Sequence, residues 1–424
     1  MRIALLSYRS KAHVGGQGVY VRYLSRELVA LGHDVEVFSG QPYPELDPGV
    51  VLTKVPSLDL YREPDPFRVP KLREFRDLID VQEFLTMSLG GFPEPRTFAR
   101  RMTRLLSRRI DDFDVVHDNQ TLGSGILDIE KLGLPLVTTI HHPITIDRRI
   151  DLQAAPTRRR RFGVRRWYGF VAMQSRVARK LTLIITPSDS SSRDVVTEFG
   201  IDPARLRAIP LGVDERFVPP TDQSRVPGRI LAMASADAPL KGIATLLEAF
   251  AKLRTERDIH LVLVTTLKPG GVTATLIDQL GIGDDVHFVS GLSDDELVTW
   301  MGSAELACVP SLYEGFSLPT AELMACATPL VVSRAGAIPE VVGPDGLAAD
   351  VVEPGDVGEL EQALARLLDD PDRRAAMGAA GRQRVLDLFS WRAVADKVVD
   401  VYTEAMHRPS PSHHHPGETT SADR

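Results

Sequence analysis

Two carboxylates eight positions apart, Glu314 and Glu322, flank a glycine-containing turn and the start of a predicted helix. The apolar run 306–310 before them predicts a short buried strand, and residues 321–326 predict a helix. Glu314 would therefore lie in the turn and Glu322 in the first turns of the helix. Unpaired backbone N–H groups at such a helix start can bind sugar hydroxyls or a phosphate. The segment therefore predicts a site for a sugar or a phosphorylated ligand.

The wider context of this pair, Glu-Gly-Phe-Ser-Leu-Pro-x-x-Glu, resembles the signature of the retaining glycosyltransferases of family four, which have the GT-B fold. The resemblance implies that the loop holding the first glutamate contacts the donor sugar, and that the second glutamate binds the nucleotide ribose. A surface loop with an incidental pair of acids would explain the spacing alone, but not the whole context. The implied donor-binding residues here are Glu314, Gly315, Phe316, Ser317, Leu318 and Glu322.

A glycine loop follows the first predicted strand and opens a helix, at Gly15, Gly16 and Gly18. Glycines let backbone amides approach a pyrophosphate closely, and they tolerate positive φ. The pattern differs from the dinucleotide-binding G-x-G-x-x-G and lacks its acidic partner after the second strand. The family resemblance implies that this loop faces the donor phosphate and the acceptor. The alternative is a tight turn that packs the first helix on the sheet.

Lys241, followed by Gly242, resembles the end of the family's diphosphate-binding stretch, which reads G-R-x-x-x-x-K-G. A lysine there would stabilise the charge that develops on a departing nucleotide diphosphate. The chain departs from the family pattern, because Ser235 stands in place of the glycine and Ala236 in place of the arginine. Diphosphate binding would then depend on Lys241, on helix dipoles and on another basic group. A solvated Lys-Gly turn is the alternative.

Two histidines follow strands that would end at the cleft. His117 and Asn119 occupy a site where relatives often have H-x-H with the second histidine near the donor sugar, so His117 could simply brace the loop. Thr139 and His141 match the family's T-x-H pattern. A neutral histidine can donate to a sugar hydroxyl or act as an acid or base. Either histidine could equally be a structural residue.

Strand and helix signals alternate twice along the chain, which predicts an α/β protein of two Rossmann-like domains facing across a cleft. The predicted strands are 2–7, 35–38, 115–117, 136–140 and 183–186 in the first series, and 229–233, 260–264, 286–289, 306–309 and 330–333 in the second. We expect the first, acceptor domain at residues 1–210 and the second, nucleotide-sugar domain at 211–390, with a turn-rich linker near 210–214. The resemblance implies that a last helix, 391–407, crosses back to the first domain. Residues 408–424, with few apolar side chains and three successive histidines, predict a disordered tail.

Composition narrows the class of protein. The 424 residues, 43% hydrophobic and 25% charged, are typical of a soluble protein with two or three domains. No apolar run reaches the roughly 18 residues of a membrane span, and no signal peptide is evident, so we expect a cytoplasmic protein. Cys308 and Cys326 lie in apolar segments and predict buried thiols. The net charge of −7 argues against general nucleic-acid binding.

Two regions fall outside the motifs. The basic stretch 148–180 carries Arg158 to Arg161 and Arg165-Arg166 beside Trp167, Tyr168 and Phe170, a mixture that can contact an anionic membrane surface, an anionic acceptor or nucleic acid. A solvated helix face whose aromatic rings enter the core is the plainer reading. The segment 59–109 resembles no general family motif and is a candidate for acceptor selection or a lid.

The sequence thus predicts a retaining glycosyltransferase that moves a sugar from a nucleotide diphosphate-sugar to the hydroxyl of a glycan, lipid or small-molecule acceptor. The family's chemistry is front-face substitution without a cofactor or bound metal. The resemblance implies that Glu314 positions the sugar, that Lys241 takes up leaving-group charge and that a donor phosphate oxygen accepts the acceptor's proton. The alternatives are a non-catalytic nucleotide-sugar-binding protein, another GT-B enzyme such as an epimerase or phosphorylase, and a membrane or nucleic-acid adaptor.

Overall fold

The computed structural model describes residues 1–10, 16–62, 65–220, 225–233 and 237–408, which contain two parallel β-sheets. The first sheet has the strand order β3-β2-β1-β4-β5-β6-β7. Its continuous apolar strands suit a sheet that is covered by helices on both faces. Its strands are β1 (Arg2–Ser7), β2 (Asp34–Ser39), β3 (Val51–Lys54), β4 (Val115–Asn119), β5 (Leu136–Thr139), β6 (Ile184–Thr186) and β7 (Leu206–Ala208).

Eight helices accompany this sheet in the described part of the chain, and all of them except α6 bury side chains. In α1, for example, Tyr20, Leu24 and Leu28 are spaced on one face and fully buried. The helices are α1 (Gly16–Ala30), α2 (Leu78–Ser88), α3 (Glu94–Leu106), α4 (Ser124–Lys131), α5 (Ile144–Ala154), α6 (Arg158–Trp167), α7 (Val171–Ala178) and α8 (Asp189–Phe199).

The second sheet has the order β10-β9-β8-β11-β12-β13 and is also parallel. Its strands are β8 (Val226–Met233), β9 (His260–Val264), β10 (Val286–Val289), β11 (Ala304–Val309), β12 (Leu330–Ser333) and β13 (Asp350–Val352). Its helices are α9 (Ile243–Leu253), α10 (Val272–Leu280), α11 (Asp294–Ser303), α12 (Leu318–Ala325), α13 (Ile338–Val342), α14 (Val357–Asp369) and α15 (Pro371–Leu388).

The last helix, α16 (Trp391–His407), crosses back to the first domain, as predicted, where it packs against α1, β4 and β5. Trp391 at its start lies against Tyr20 and Tyr23 of α1, with ring centroids 6.0 and 5.6 Å apart. The buried Tyr402 near its end reaches the core of the first sheet. The two Rossmann-like domains and the returning helix confirm the predicted fold class.

The chain passes between the domains twice at one place. After β7 it continues through residues 209–225 to β8, and the N–H of Val213 donates to the Phe389 C=O over 2.8 Å, just before α16. A Cβ on Gly212 would lie 2.4 Å from the Trp391 ring, so glycine permits this close approach. The first sheet ends at Ala208 and the second begins at Val226, and the predicted linker lies between them.

The expected strands and helices are present, but three strands were missed. β3, β7 and β13 are short and all lie at sheet edges, where the apolar signal is weakest; the residues of β3 and β7 are partly exposed. The segment 59–109 is irregular at first and then contains α2 and α3. None of the described helices is long and apolar enough to cross a bilayer.

Some predictions fall outside the described residues. They concern Gly15, the departures at Ser235 and Ala236, and residues 409–424 of the predicted disordered tail. Arg408, placed in that tail by the sequence, instead caps α16, and its guanidinium donates to the Thr182 C=O over 2.7 Å. Arg408 therefore connects the end of α16 to the first domain.

Candidate active site

Glu314 lies in the loop between β11 and α12, and a neighbouring loop fixes its backbone. The N–H of Ala337 donates to the Glu314 C=O over 2.9 Å. Gly336 has a φ of +56°, and a Cβ there would lie 2.1 Å from the same carbonyl oxygen. A larger residue at position 336 would displace the loop. The turn after β12 therefore holds Glu314 at the carboxyl edge of the second sheet, where ligands bind in open α/β sheets.

Lys241 and Glu314 face each other directly. The Lys241 Nζ lies 2.7 Å from Glu314 Oε1, and the Ser311 hydroxyl donates to the same oxygen over 2.8 Å. The two side chains are 28% and 12% exposed. The structure thus brings together the cation and the carboxylate that the sequence placed 73 positions apart.

Local backbone constraints explain this encounter. Lys241 ends a short 3-10 turn, Pro239–Lys241, and the following Gly242 has a φ of +64°. A Cβ on Gly242 would lie 1.9 Å from the Pro310 C=O, so only glycine allows the turn to touch the end of β11. The N–H of Leu312 also donates to the Leu240 C=O over 2.7 Å. The Lys-Gly pair is therefore packed against the end of β11, which holds Lys241 beside Glu314.

The rest of the motif presents backbone to the cleft. The side chains of Phe316, Ser317 and Leu318 are buried, and Phe316 packs edge-on against Phe389. Ser317, the residue before α12, has a φ of +81°, a strained conformation for a residue with a side chain. Any contact of these three residues with a donor would come from backbone groups at the start of α12.

Glu322 lies in the second turn of α12 and is half-buried. Its carboxylate has no hydrogen-bond partner among the residues that the structure describes. Burial raises the pKa of Glu322 to about 7, and the nearby Asp294 and Asp214 add to the increase. Because this partly buried carboxylate makes no hydrogen bond to the protein, it can accept hydrogen bonds from a ligand.

Asn119 and His141 come together at the carboxyl ends of β4 and β5. The His141 Nε2 lies 2.7 Å from Asn119 Oδ1. Burial lowers the pKa of His141 to about 3, and the charges of His142 and His117 contribute. His141 is therefore neutral, and Nε2 carries the proton that it donates to Asn119.

The start of α1 lies beside this pair. The Asn119 Nδ2 donates to the C=O of Gln17 over 3.3 Å, next to the predicted Gly16 and Gly18. Gly16 begins the helix and Gly18 is buried within it. The described part of the glycine loop thus lies at the same edge of the sheet as His141.

His117 occupies a different place. It is fully buried, with Nδ1 2.7 Å from the Tyr402 hydroxyl and Nε2 2.7 Å from the Thr139 hydroxyl. Burial lowers its pKa to about 3. Both ring nitrogens are occupied by protein partners, so this geometry favours the bracing role that the sequence left open: His117 ties α16 to the first sheet.

The motif loop also contacts the first domain. The Gly315 C=O accepts hydrogen bonds from the hydroxyls of Ser188 and Ser191 at 2.8 and 2.9 Å. A Cβ on Gly315 would lie 2.3 Å from the His141 C=O. The Glu340 carboxylate accepts from the backbone N–H groups of Asp189 and Ser190 at the start of α8, at 2.9 and 2.7 Å. The two domains therefore touch at the site.

Sequence reasoning missed several residues here. His142 Nε2 lies 2.9 Å from Asp147 Oδ2; burial opposes its protonation, but Asp147 and Glu314 outweigh this effect and raise the pKa of His142. The Gln120 side chain clamps the same loop by accepting from the His141 N–H and donating to the His142 C=O. Gln120 has a φ of +53°. In the sequence, only the His-His pair at 141–142 could have indicated that His142 belongs to the site.

With this geometry in view, the comparisons with known proteins identify the family. The family described as Glycosyltransferase Family 4 matches residues 14–217, and Glycosyl transferases group 1 matches residues 220–384. The MMP α-(1→4)-mannosyltransferase of Mycolicibacterium hassiacum is 59% identical over 409 residues, which cover 96% of this chain and 99% of that protein. The chain therefore belongs to glycosyltransferase family four, and it is a glycosyltransferase.

Solved structures agree on the fold. Sucrose-phosphate synthase from Thermosynechococcus elongatus superposes with a TM-score of 0.70 at 22% identity, covering 95% of this chain and 98% of that one. The Anabaena protein Alr3699/HepE in complex with UDP-glucose gives a TM-score of 0.67 at 14% identity, covering 95% and 100%. These similarities confirm the GT-B architecture.

Proposed function

We propose that this enzyme transfers a hexose, with mannose the first candidate, from a nucleotide diphosphate-sugar to an acceptor hydroxyl with retention of configuration and without a metal. The observation that carries the proposal is the Lys241–Glu314 ion pair, held in the cleft between the domains. The name of the relative that is 59% identical supports mannose and an α-linkage. An α-linked product made from an α-linked sugar nucleotide retains the anomeric configuration.

The donor would bind mainly to the second domain. The unpartnered Glu322 carboxylate offers an acceptor for ribose hydroxyls, and the start of α12 offers backbone N–H groups for the sugar or phosphates. The complex of Alr3699/HepE with UDP-glucose supports a sugar nucleotide as the ligand class. The nucleotide base would be determined by donor screening.

In the proposed reaction, the bond between the anomeric carbon and the phosphate oxygen breaks while the acceptor oxygen bonds to the same face of that carbon. The acceptor's proton passes to the departing phosphate oxygen. Lys241 would stabilise the charge that grows on the diphosphate, and Glu314 would accept hydrogen bonds from sugar hydroxyls. Asn119 and the neutral His141 would position the sugar from the first domain.

One assay distinguishes this proposal from the alternative functions. A non-catalytic sugar-nucleotide-binding protein would bind the donor without turnover, an epimerase would change the donor alone, and a phosphorylase would need inorganic phosphate. Incubation of the full chain with GDP-mannose and UDP-glucose, with and without an oligomannoside acceptor, separates these outcomes by the products formed. Retention requires that the first product has an α-anomeric NMR signal. Release of nucleoside diphosphate without any glycoside would contradict the proposal.

Metal independence is tested in the same assay. Among the described residues, no group of three or more His, Cys, Asp or Glu side chains is arranged to hold a metal ion. Transfer should continue at an undiminished rate in excess chelator. A rate that collapses with chelator and recovers with a divalent cation would remove this part of the proposal.

The cytoplasmic location expected from the sequence is also part of the proposal, with peripheral contact to a membrane through the Arg158 region. The arginines of α6 are exposed, whereas Trp167 and Phe170 pack against the aromatic cluster around Tyr61 and Phe92. The helix therefore has a fixed inner face and a free basic outer face.

A further inference from the structure

Helix α2 exposes an apolar stripe. Leu78, Val81, Leu85 and the following Leu89 are spaced by three or four residues, so they lie on one face of the helix. Their exposed fractions are 85%, 39%, 54% and 65%. Isolated exposed leucines are common on proteins, but a continuous row on one helix marks an interaction surface.

The opposite face of α2 is charged and anchored. Asp80 and Glu83 are buried against α3, where both pair with Arg101. Asp77 pairs with Arg104 of the same helix at 2.7 Å. The helix thus buries these two acids beside the apolar Ile79 and Met87, and it exposes both of its leucines. These ion pairs fix the rotation of α2 about its axis, so the apolar stripe faces solvent.

The apolar surface continues into the segment before α2. Phe67, Val69 and Leu72 are 58%, 77% and 91% exposed. Lys71 and Arg73 lie exposed beside Leu72. Alternating large apolar and basic side chains therefore extend the surface beyond the helix.

Helix α6 borders the same surface with positive charge. The Arg166 Nε donates to the Leu89 C=O over 2.7 Å, so the carboxyl ends of α6 and α2 meet. The helix has no acidic residue, and it exposes the run 158–161, Arg165 and Phe162, the last at 63%. Arg158, Arg159, Arg160 and Arg165 make no ion pair with any other residue in the described ranges.

We propose that this docking face, formed by residues 67–73, the α2 stripe and α6, binds an anionic lipid surface. The leucines of α2 would enter the boundary between headgroups and acyl chains, while the α6 arginines would contact anionic headgroups. Charge complementarity selects this occupant, because a purely apolar protein surface would leave Arg158, Arg159, Arg160 and Arg165 without an anionic partner. The inference rests on the peripheral membrane contact proposed above, which it extends by naming α2 as the inserting element, and not on the transfer reaction.

Sedimentation with vesicles tests it. We expect the full chain to bind vesicles of phosphatidylcholine with about 30% phosphatidylglycerol, to ignore phosphatidylcholine alone, and to bind less as salt rises. Leu78→Gln with Leu85→Gln should reduce the partition coefficient by about 100-fold, from roughly tenfold for each leucine removed. The matched control is Leu386→Gln with Leu388→Gln, on α15 of the second domain, where both leucines are exposed.

The charge contribution has its own pair of variants. Arg158→Gln, Arg159→Gln and Arg160→Gln together should reduce binding about 100-fold, since each basic residue contributes about fivefold. The control replaces three exposed basic residues elsewhere, Lys252, Arg334 and Arg392, with glutamine. Because all these side chains are exposed, thermal unfolding should not change.

Three results would overturn the inference. The first is wild-type protein that ignores anionic vesicles even at low salt, and the second is a leucine variant that binds them as tightly as wild type. A wild-type dimer that the leucine variant converts to monomer would assign the face to a second copy of the chain and also reject the membrane. Sugar transfer to a water-soluble acceptor, measured without vesicles, should be equal in all variants. Its absence from wild type would reject the proposed function and leave the vesicle result to be judged separately.

Discussion

Replacement of Lys241 by alanine should slow turnover far more than it weakens donor binding. Without donor, the Lys241 ammonium already has a partner, because its Nζ lies 2.7 Å from Glu314 Oε1. Donor binding would therefore exchange one anionic partner for another. The ground-state gain from this exchange is small, so we expect the donor dissociation constant of the variant to rise by less than about tenfold.

In the proposed reaction, the transition state differs because the diphosphate gains charge as the glycosidic bond breaks. At about 4 Å and an effective dielectric constant of about 20, a full unit charge interacts with an ammonium by about 4 kcal/mol. Bond breaking is incomplete in the transition state and Lys241 is 28% exposed, which reduces this to about 3 kcal/mol. The expected loss in kcat is therefore about 100-fold to 1000-fold.

Single-turnover kinetics at saturating donor, with titration calorimetry of the same variant, separates the two effects. Lys252→Ala is the matched control, because Lys252 lies on α9, which follows the Lys241 turn, but is exposed and pairs with Glu361. It should leave both constants unchanged. A Lys241→Ala variant that retains turnover within about threefold would assign the charge stabilisation to another cation. A loss confined to donor affinity would make the lysine a ground-state binding residue.

Three further predictions concern the surrounding residues. A carboxylate accepts ribose hydroxyls better than a carboxylic acid does, and the pKa of Glu322 is raised to about 7, so affinity for a sugar nucleotide should increase as the pH rises through about 7. In calorimetry, the affinity of Glu322→Gln should not change with pH, and a wild-type affinity that does not change with pH would contradict the role. Gly315→Ala should lower kcat with little change in unfolding temperature, since the new Cβ would meet the His141 C=O at 2.3 Å and separate the domains; unchanged kcat would mean that catalysis does not need this contact. His117→Ala should lower the free energy of unfolding by about 2 to 4 kcal/mol in urea titrations, because Tyr402 and Thr139 each lose a buried hydrogen-bond partner. A variant that is as stable as wild type but inactive would instead make His117 a catalytic residue.

The fold could be predicted from the sequence where the strands are central and apolar. β9, β10, β12 and α16 begin and end at the predicted residues. The missed strands, β3, β7 and β13, lie at sheet edges. β13 begins with the buried Asp350, whose charge hides the apolar pattern. Edge pairing depends on the neighbouring strand more than on the strand's own residues.

The site could be predicted only in part, because spacing identifies loops but not their partners across the cleft. The motif alone suggested Glu314 and Glu322, yet the contact of Lys241 with Glu314 depends on Gly242, whose positive φ is invisible in a lone Lys-Gly pair. The serines that hold Gly315, at the start of α8, gave no sequence signal of their own.

The histidines illustrate the same limit. His117 lies in the middle of β4 and His141 two residues after β5, so both belong to apolar strand contexts that give them similar expectations. Their roles separate only because α16 returns and places Tyr402 against His117, while His141 faces Asn119 at the sheet edge. A contact between two residues that are 285 positions apart cannot be predicted from a local sequence pattern.

The Lys241–Glu314 ion pair also bears on how Lys241 would be positioned before a donor binds. A free lysine side chain loses up to about 2 kcal/mol of conformational entropy when it is fixed. The Ser311 hydroxyl restrains Glu314, and Glu314 in turn holds the Lys241 ammonium, where the diphosphate would bind in the proposed reaction. Part of the ordering cost is therefore met before the donor binds. When the diphosphate displaces Glu314 from Lys241, the carboxylate is released to accept hydroxyls of the donor sugar, so one exchange prepares both residues for the roles proposed here.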